Sequence, residues 1–142
     1  VVKMKLVPYQ APKWFLDHPL VQKHLTSVVS KIPSHRIELL SKRPTPIERV
    51  QPLTSPQYSV PAEYELSIKR DDLTHTEPHL QGNKLRKLEF VFADVLAKKA
   101  QNVLTAGGLQ SNHCRTVASV CARLGLRSHL FLRSPYPDAT QV

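Results

Sequence analysis

The chain has 142 residues and a formal net charge of +9, with 41% hydrophobic and 22% charged residues. This length suffices for one ordinary domain or for part of a larger one, and the composition is that of a globular rather than a disordered chain. No apolar run approaches the roughly 18 residues that a membrane span needs, so no membrane partner is expected.

Prolines are concentrated at the start, with nine of the twelve in residues 1–61, which predicts an extended and turn-rich region. Within it, residues 19–30 are predicted to form a helix, and residues 45–50 to lead into a short strand. Residues 64–69 alternate apolar and polar side chains, which predicts a half-buried strand.

The next elements carry the polar motifs. Residues 71–81 are predicted to form a loop, followed by a helix over residues 84–100 whose apolar side chains recur at helical spacing and which Asn102 breaks. A short strand is predicted to begin at residues 102–105 and to end at Gly107-Gly108.

A second helix is predicted over residues 112–124, with Gly125 as its C-terminal stop, followed by a strand over residues 128–133. The alternation of strands and helices from residue 64 onward predicts βαβ units in an α/β open sheet. Such a sheet needs more strands than these, so we expect the remaining ones to lie beyond residue 142.

The positive charge lies mainly in the first 50 residues. They hold nine Lys and Arg against three Asp and Glu (+6), whereas residues 51–142 hold eleven against eight (+3). A basic segment is typical of nucleic-acid binding or of a mitochondrial leader. No nucleic-acid-binding motif accompanies it and aromatic residues make up only 6%, so no nucleic acid is expected as a partner. The segment also lacks the serine and arginine richness of a leader.

The two cysteines, Cys114 and Cys121, are seven residues apart in a predicted helix. That spacing places them roughly 10 Å apart along the helix axis, which is too far for a disulfide bond. A reduced, intracellular protein, cytoplasmic or mitochondrial, is the simpler interpretation.

The first candidate for chemistry is Lys84, which a turn containing Gly82 and Asn83 places at a predicted helix start. A lysine amine is a nucleophile only when unprotonated, and a nearby cation such as Lys87 and the positive end of a helix dipole both favour that form. The alternative is that Lys84, Arg86 and Lys87 form a solvated basic face, as most such clusters do.

The second candidate is the segment GGLQSNH at residues 107–113. Two glycines after a strand let the backbone approach a ligand closely, and Ser111 and Asn112 present a hydroxyl, an amide and free N–H groups suited to a carboxylate. The alternative is a helix N-cap and tight turn with no ligand. Together, the two candidates would face the crevice beyond the carboxyl ends of the strands, where open α/β sheets bind ligands.

Three stretches then stand out by their order and spacing: KRDDLT at residues 69–74, GNKLRKLE at residues 82–89 and GGLQSNHCR at residues 107–115. They resemble the signature of the D-cysteine desulfhydrase and 1-aminocyclopropane-1-carboxylate deaminase family. The resemblance covers roughly residues 33–133 and implies a pyridoxal-phosphate enzyme with the two-domain, tryptophan synthase β-subunit-like fold, PLP fold type II. Gln81 departs from the pattern, because the family usually has a small residue there.

The resemblance also implies roles for five residues. Lys84 would form the Schiff base with pyridoxal 5'-phosphate, and Asn112 would hydrogen-bond the phenolic oxygen of its ring. Ser111 would contact the carboxylate of a small amino-acid substrate or act near its α-carbon, while Asn83 and Lys87 would be supporting residues. Catalytic roles thus fall to Lys84 and Ser111.

Two reactions are implied: the breakdown of D-cysteine to pyruvate, hydrogen sulfide and ammonia, and the opening of the cyclopropane ring to give 2-oxobutanoate and ammonia. In both, the cofactor acts as an electron sink. The His113-Cys114 pair after Ser111-Asn112 favours the desulfhydrase.

By the same resemblance, residues 33–101 would begin the larger cofactor domain and residues 102–142 the smaller α/β domain, with residues 1–32 an unassigned N-terminal extension. The phosphate cradle and the substrate-selective residues would follow later, in a homodimeric full-length protein. Since both chain ends look arbitrary, we expect a piece of a longer protein that alone binds cofactor poorly and is inactive. The alternative is a non-catalytic truncated isoform or gene fragment.

Two further candidates are weaker. His75 and His79 are four apart, but Pro78 between them argues against a helix and no third ligand is near, so no metal is expected. Cys114 near a helix start could be reactive, but a small packed core cysteine is the expectation.

Asp71 and Asp72 could form a catalytic carboxylate pair. Adjacent residues at a strand end usually point apart, however. We therefore expect these two carboxylates to cap the loop or to pair with Arg70 or Arg86.

Overall fold

A computed structural model describes residues 6–24, 27, 32–41, 43–50 and 64–134. Among these residues, no helix has the length and apolar character required to cross a membrane. The strands are β1 (Leu6–Pro8), β2 (His35–Ile37), β3 (Ile47–Arg49), β4 (Ser67–Lys69), β5 (Asn102–Gly108) and β6 (Arg127–Arg133). The helices are α1 (Lys13–Leu16), α2 (Pro19–Lys23), α3 (Lys84–Ala97) and α4 (Asn112–Leu124), with 3₁₀ turns at Asp71–Leu73 and Pro78–Leu80.

The strands pair in three two-stranded sheets. β1 pairs with β2 and β3 with β4, both antiparallel, whereas β5 and β6 are parallel, in register from Asn102 opposite Arg127 to Gly108 opposite Arg133. The segment β5–α4–β6 is therefore a βαβ unit, as predicted. The predicted βαβ unit that begins with the strand at residues 64–69 is wrong in the described residues, because β4 pairs with β3 and not with β5.

The hydrophobic core lies where α3 and α4 meet each other, β2 and the turn before α3. The helical spacing in α3 correctly predicted its buried face. Both cysteines are unpaired and buried. The buried residues of the core are Ile37, Leu39, Leu80, Leu85, Leu88, Phe92, Ala93, Val117, Val120 and Cys121.

Helix α3 begins at Lys84, as predicted, but ends at Ala97 rather than at residue 100. Lys99 adopts a left-handed conformation with φ of 52°. The amides of Lys99 and Ala100 then bond back to the carbonyls of Leu96 and Val95, at 3.0 and 3.1 Å, which closes the helix end. Because no glycine marks this position, the sequence carried no signal for the earlier stop.

Helix α4 has the bounds that the sequence predicted, residues 112–124, because both of its ends carry strong local signals. Ser111 accepts a hydrogen bond from the Cys114 amide at its N-terminus, and Gly125 takes the left-handed conformation, with φ of 71°, at its C-terminus.

Other bounds differ from the predictions. The predicted strand at residues 64–69 forms only as Ser67–Lys69, and it is exposed rather than half-buried. The strand predicted to begin at residues 102–105 and to end at Gly107-Gly108 is confirmed as β5, whereas the predicted final strand begins one residue earlier, at Arg127. The lead-in at residues 45–50 contains the predicted short strand, β3.

The predicted helix at residues 19–30 begins at Pro19, but α2 ends at Lys23, where His24 leaves the helical conformation. Residues 25–26 and 28–30 lie outside the described residues.

Glu89 fastens α3 to the segment after β2. Its carboxylate is only 3% exposed. One of its oxygens accepts hydrogen bonds from the amides of Leu39, at 2.9 Å, and Leu40, at 3.1 Å. The guanidinium of Arg43 also donates to the carboxylate, and that of Arg36 lies 3.5 Å away. The position of the helix that begins with Lys84 therefore depends on this buried anion.

Candidate active site

The turn before Lys84 depends on Gly82 and Thr74. Gly82 has φ of 112°, a conformation that residues with a Cβ atom rarely adopt. The Thr74 hydroxyl, which is fully buried, accepts a hydrogen bond from the Gly82 amide at 3.0 Å and lies 3.2 Å from the carbonyl oxygens of Gly82 and Asp71. The Thr74 side chain thus fixes the backbone from which Asn83 and Lys84 follow.

Lys84 is the first residue of α3 and is half-buried. Within the described residues, its amine makes no hydrogen bond or ion pair. Asn83 precedes it as the N-cap residue, but its side chain makes no capping hydrogen bond. The amine at the helix start therefore has no ion-pair partner among the described residues.

The second motif is a close-packed strand-to-helix turn. A Cβ atom on Gly107 would lie 2.6 Å from the Ser111 hydroxyl oxygen and 2.8 Å from the Cys114 sulfur, so only glycine fits at this point of β5. The Ser111 hydroxyl accepts a hydrogen bond from the Cys114 amide, at 3.2 Å, and so caps the helix. Ser111 is thus the N-cap residue of α4, and Cys114 is a packed residue that is 2% exposed, as expected.

The two motifs meet at Gly82 and Asn112. A Cβ atom on Gly82 would lie 2.7 Å from Nδ2 of Asn112. The side-chain amide of Asn112 therefore lies against the turn that leads into Lys84, although the motifs are about two dozen residues apart in the chain. On its other side, Oδ1 of Asn112 accepts a hydrogen bond from the guanidinium of Arg115.

A polar cavity of about 300 Å³ opens at the start of α4, lined by Leu109, Gln110, Ser111, Asn112 and Arg115. Its position just beyond the carboxyl end of β5 is the usual ligand position in open α/β sheets. Lys84 does not line it, so the structure brings the two motifs into contact at Asn112 without placing the lysine in this cavity.

Lys87 faces elsewhere. It lines an apolar cavity of about 580 Å³ together with Tyr9, Trp14, Phe15 and Phe90. Its predicted supporting role remains a prediction that this geometry does not favour.

The aspartates form ion pairs, as predicted. Asp71 accepts hydrogen bonds from Arg86, at 2.7 Å, and from Thr45, at 3.1 Å. The Arg86 guanidinium, followed by the Thr45 hydroxyl, holds the pKa of Asp71 below its ordinary value. Asp72 is bound by Arg70, which likewise lowers its pKa. Arg86 therefore pairs with Asp71, while its side chain stays 39% exposed.

A second polar cluster joins the loop to α4. Glu77 pairs with Arg123 and also, at 2.9 Å, with His79. Hydrogen bonding from Arg123 lowers the pKa of Glu77, while burial, followed by the Arg123 charge, lowers that of His75. No group of three metal-ligating side chains occurs among the residues that the structure describes.

Sequence reasoning missed Thr74, Glu89 and the contact between Arg115 and Asn112. Glu89 did carry a signal, because it lies on the apolar face of α3 beside Leu85, Leu88 and Phe92, where a charged residue needs a partner. Thr74 and Arg115 lie inside motifs that were recognised, but nothing in their spacing revealed their partners.

Replacing Gly82 with alanine should lower the free energy of unfolding by about 2 kcal/mol. An alanine would be strained in the positive-φ conformation of this position, and its Cβ atom would collide with the Asn112 side chain. Gly108→Ala is the matched control, since the atom nearest to the new Cβ, the Arg133 carbonyl oxygen, would be 4.0 Å away. Urea unfolding measures both changes. Equal stability of the two variants would contradict the tight contact between Gly82 and Asn112.

Comparison with known proteins identifies relatives. The family model described as "Pyridoxal-phosphate dependent enzyme" matches residues 39–141. An Arabidopsis thaliana protein named "Bifunctional D-cysteine desulfhydrase/1-aminocyclopropane-1-carboxylate deaminase, mitochondrial" is 42% identical over 127 residues, which are 89% of this chain and 27% of that protein. The D-cysteine desulfhydrase of Salmonella newport (strain SL254) is 45% identical over 100 residues, 70% of this chain and 28% of that protein.

Among solved structures, one described as an ACC deaminase homologue is 36% identical, with a TM-score of 0.59 over 82% of this chain and 32% of that one. The chain thus spans just over a quarter of the length of the curated relatives named above.

Proposed function

Since this chain belongs to the pyridoxal-phosphate dependent enzyme family, we propose that it forms part of the active site of an enzyme that breaks down D-cysteine to pyruvate, hydrogen sulfide and ammonia. The likeness to the ACC deaminase homologue confirms the predicted fold class, an α/β open sheet of PLP fold type II. The observation that carries the proposal is the contact of Asn112 with the Gly82 turn, because it joins the two motifs into one site.

The residues of this site fit the aldehyde and ring of the cofactor. The aldehyde of the cofactor reacts with an amine, and the amine of Lys84 makes no hydrogen bond or ion pair with any described residue. A phenolic oxygen needs a hydrogen-bond donor, and Nδ2 of Asn112 has no acceptor among the described residues while it lies against the turn before Lys84. Glycine at position 82 leaves room for the Asn112 amide, and glycine at position 107 leaves room for the Ser111 hydroxyl.

In this proposal, Lys84 holds the cofactor covalently and moves the proton at the α-carbon of the substrate. Asn112 donates to the phenolic oxygen and orients the ring. Ser111 binds the substrate carboxylate at the start of α4, where free backbone N–H groups favour an anion. Asn83 is a supporting residue through its place in the turn, and Lys87 is a supporting residue by resemblance alone.

When bound, the cofactor supplies an electron sink for the carbanion at the α-carbon. The reaction then breaks the α-C–H bond and the β-C–S bond of D-cysteine. With one water, the products are pyruvate, hydrogen sulfide and ammonia, which balances all atoms.

A second candidate is the deaminase reaction on 1-aminocyclopropane-1-carboxylate, which the bifunctional name of the Arabidopsis relative favours. We further propose a homodimer and a boundary between the two domains near residue 101. For the compartment, cytoplasm and mitochondrion both remain candidates; the mitochondrial relative supports the second.

Incubating the natural protein, loaded with cofactor, with D-cysteine should release sulfide and pyruvate in equal amounts. The cyclopropane substrate should give 2-oxobutanoate at a lower rate, and L-cysteine serves as the stereochemical control. Turnover of the cyclopropane substrate alone would favour the second candidate. A protein that bound no cofactor and turned over neither substrate would support the non-catalytic alternative.

A further inference from the structure

Arg115 lies one helical turn after Asn112 on the same face of α4, and its guanidinium donates a hydrogen bond to Oδ1 of Asn112. The side-chain oxygen and nitrogen of asparagine are nearly equal in size, so packing alone does not decide which of them faces which neighbour. Hydrogen bonding does, because a guanidinium can only donate. The oxygen of the amide must therefore face Arg115.

The opposite end of the amide is then also determined. Nδ2 of Asn112 faces the Gly82 turn, 2.7 Å from where a Cβ atom on Gly82 would lie. The nearby Thr116 hydroxyl bonds the backbone carbonyl of Asn112, at 2.7 Å, and does not compete for its side chain. The amide thus presents a donor, and not an acceptor, toward the start of α3.

We propose that Arg115 is a positioning residue that holds the Asn112 amide with its NH₂ group toward the Lys84 end of the site, so that Asn112 donates to the phenolic oxygen of the cofactor. This inference rests on the proposed function. Without Arg115, the Asn112 amide can flip and present Oδ1 to the phenolic oxygen of the cofactor. The two oxygens would then repel each other. In this role, Arg115 acts on the cofactor through Asn112.

The test is the affinity of the natural apoprotein for two cofactors, measured by absorbance titration: pyridoxal 5'-phosphate, and its 3-deoxy analogue, which lacks the phenolic oxygen. Arg115→Met, which keeps much of the side-chain length but removes the hydrogen-bond donors, should weaken the binding of pyridoxal phosphate about tenfold. It should leave affinity for the 3-deoxy analogue unchanged. Arg115→Lys, which can still donate, should restore most of the affinity for pyridoxal phosphate.

Asn112→Ala gives the second comparison. Adding Arg115→Met to Asn112→Ala should cause no further loss, because the arginine acts only through that amide. Equal weakening of both cofactors by Arg115→Met, or no weakening of either, would overturn the inference and leave the proposed function intact. Failure of the unaltered protein to bind pyridoxal phosphate at all would overturn both.

Discussion

Replacing Lys84 with alanine in the natural protein should abolish the visible absorption band of the bound cofactor and lower turnover of D-cysteine at least about a thousandfold. In the proposed site, the amine of Lys84 both holds the cofactor and moves the α-proton, so its loss would remove two functions at once. Absorbance spectroscopy and a sulfide assay measure the two effects separately.

Lys98→Ala, at the C-cap of the same helix, is the matched control. Lys98 is exposed and, within the described ranges, pairs only with Asp94, four residues before it. Such a pair contributes a few tenths of a kcal/mol. This variant should keep both the band and the activity. If Lys84→Ala also kept both, Lys84 would not be the cofactor lysine.

Replacing Glu89 with alanine should destabilise the protein by about 3 kcal/mol, the lower end of the usual cost of breaking a buried ion pair. The change would leave the amides of Leu39 and Leu40 without their acceptor and the guanidinium of Arg43 without its partner. Urea unfolding of the natural protein measures this loss as a lower transition midpoint with an unchanged slope.

Glu38→Ala provides the comparison for Glu89, since the Glu38 carboxylate is 64% exposed and lies 3.9 Å from Arg36. We expect a change below about 0.5 kcal/mol there, because exposed ion pairs contribute little. A loss below about 1 kcal/mol for Glu89→Ala would mean that the segment after β2 is not fastened to α3 through this carboxylate.

The best-predicted parts of the fold are those with signals in neighbouring residues. The bounds of α4 followed from a serine cap and a C-terminal glycine, and the buried face of α3 followed from its helical spacing. The end of α3 was missed because Lys99 adopts the left-handed conformation without being a glycine. That choice reflects the return of the chain toward β5, which local propensity does not encode.

Strand partners were the least predictable feature. The alternation in residues 64–69 indicated a strand but not its neighbour, and β4 pairs with β3 instead of joining β5. Alternation specifies faces, whereas pairing depends on contacts between distant residues.

The candidate site shows the same division. Two motifs could be found in the sequence, and their proximity could be expected from the crevice at the strand ends. The atoms that join them could not, because the contact between Gly82 and Asn112 and the role of Thr74 depend on how the loop at residues 71–81 folds over α4.

The most direct test of the account is the location of the cofactor bond. Reducing the cofactor-loaded natural protein with borohydride makes that bond permanent, and mass spectrometry of the peptides then shows which lysine carries the phosphopyridoxyl group. We predict that this lysine is Lys84. A label on another lysine, or on none, would contradict the proposed site.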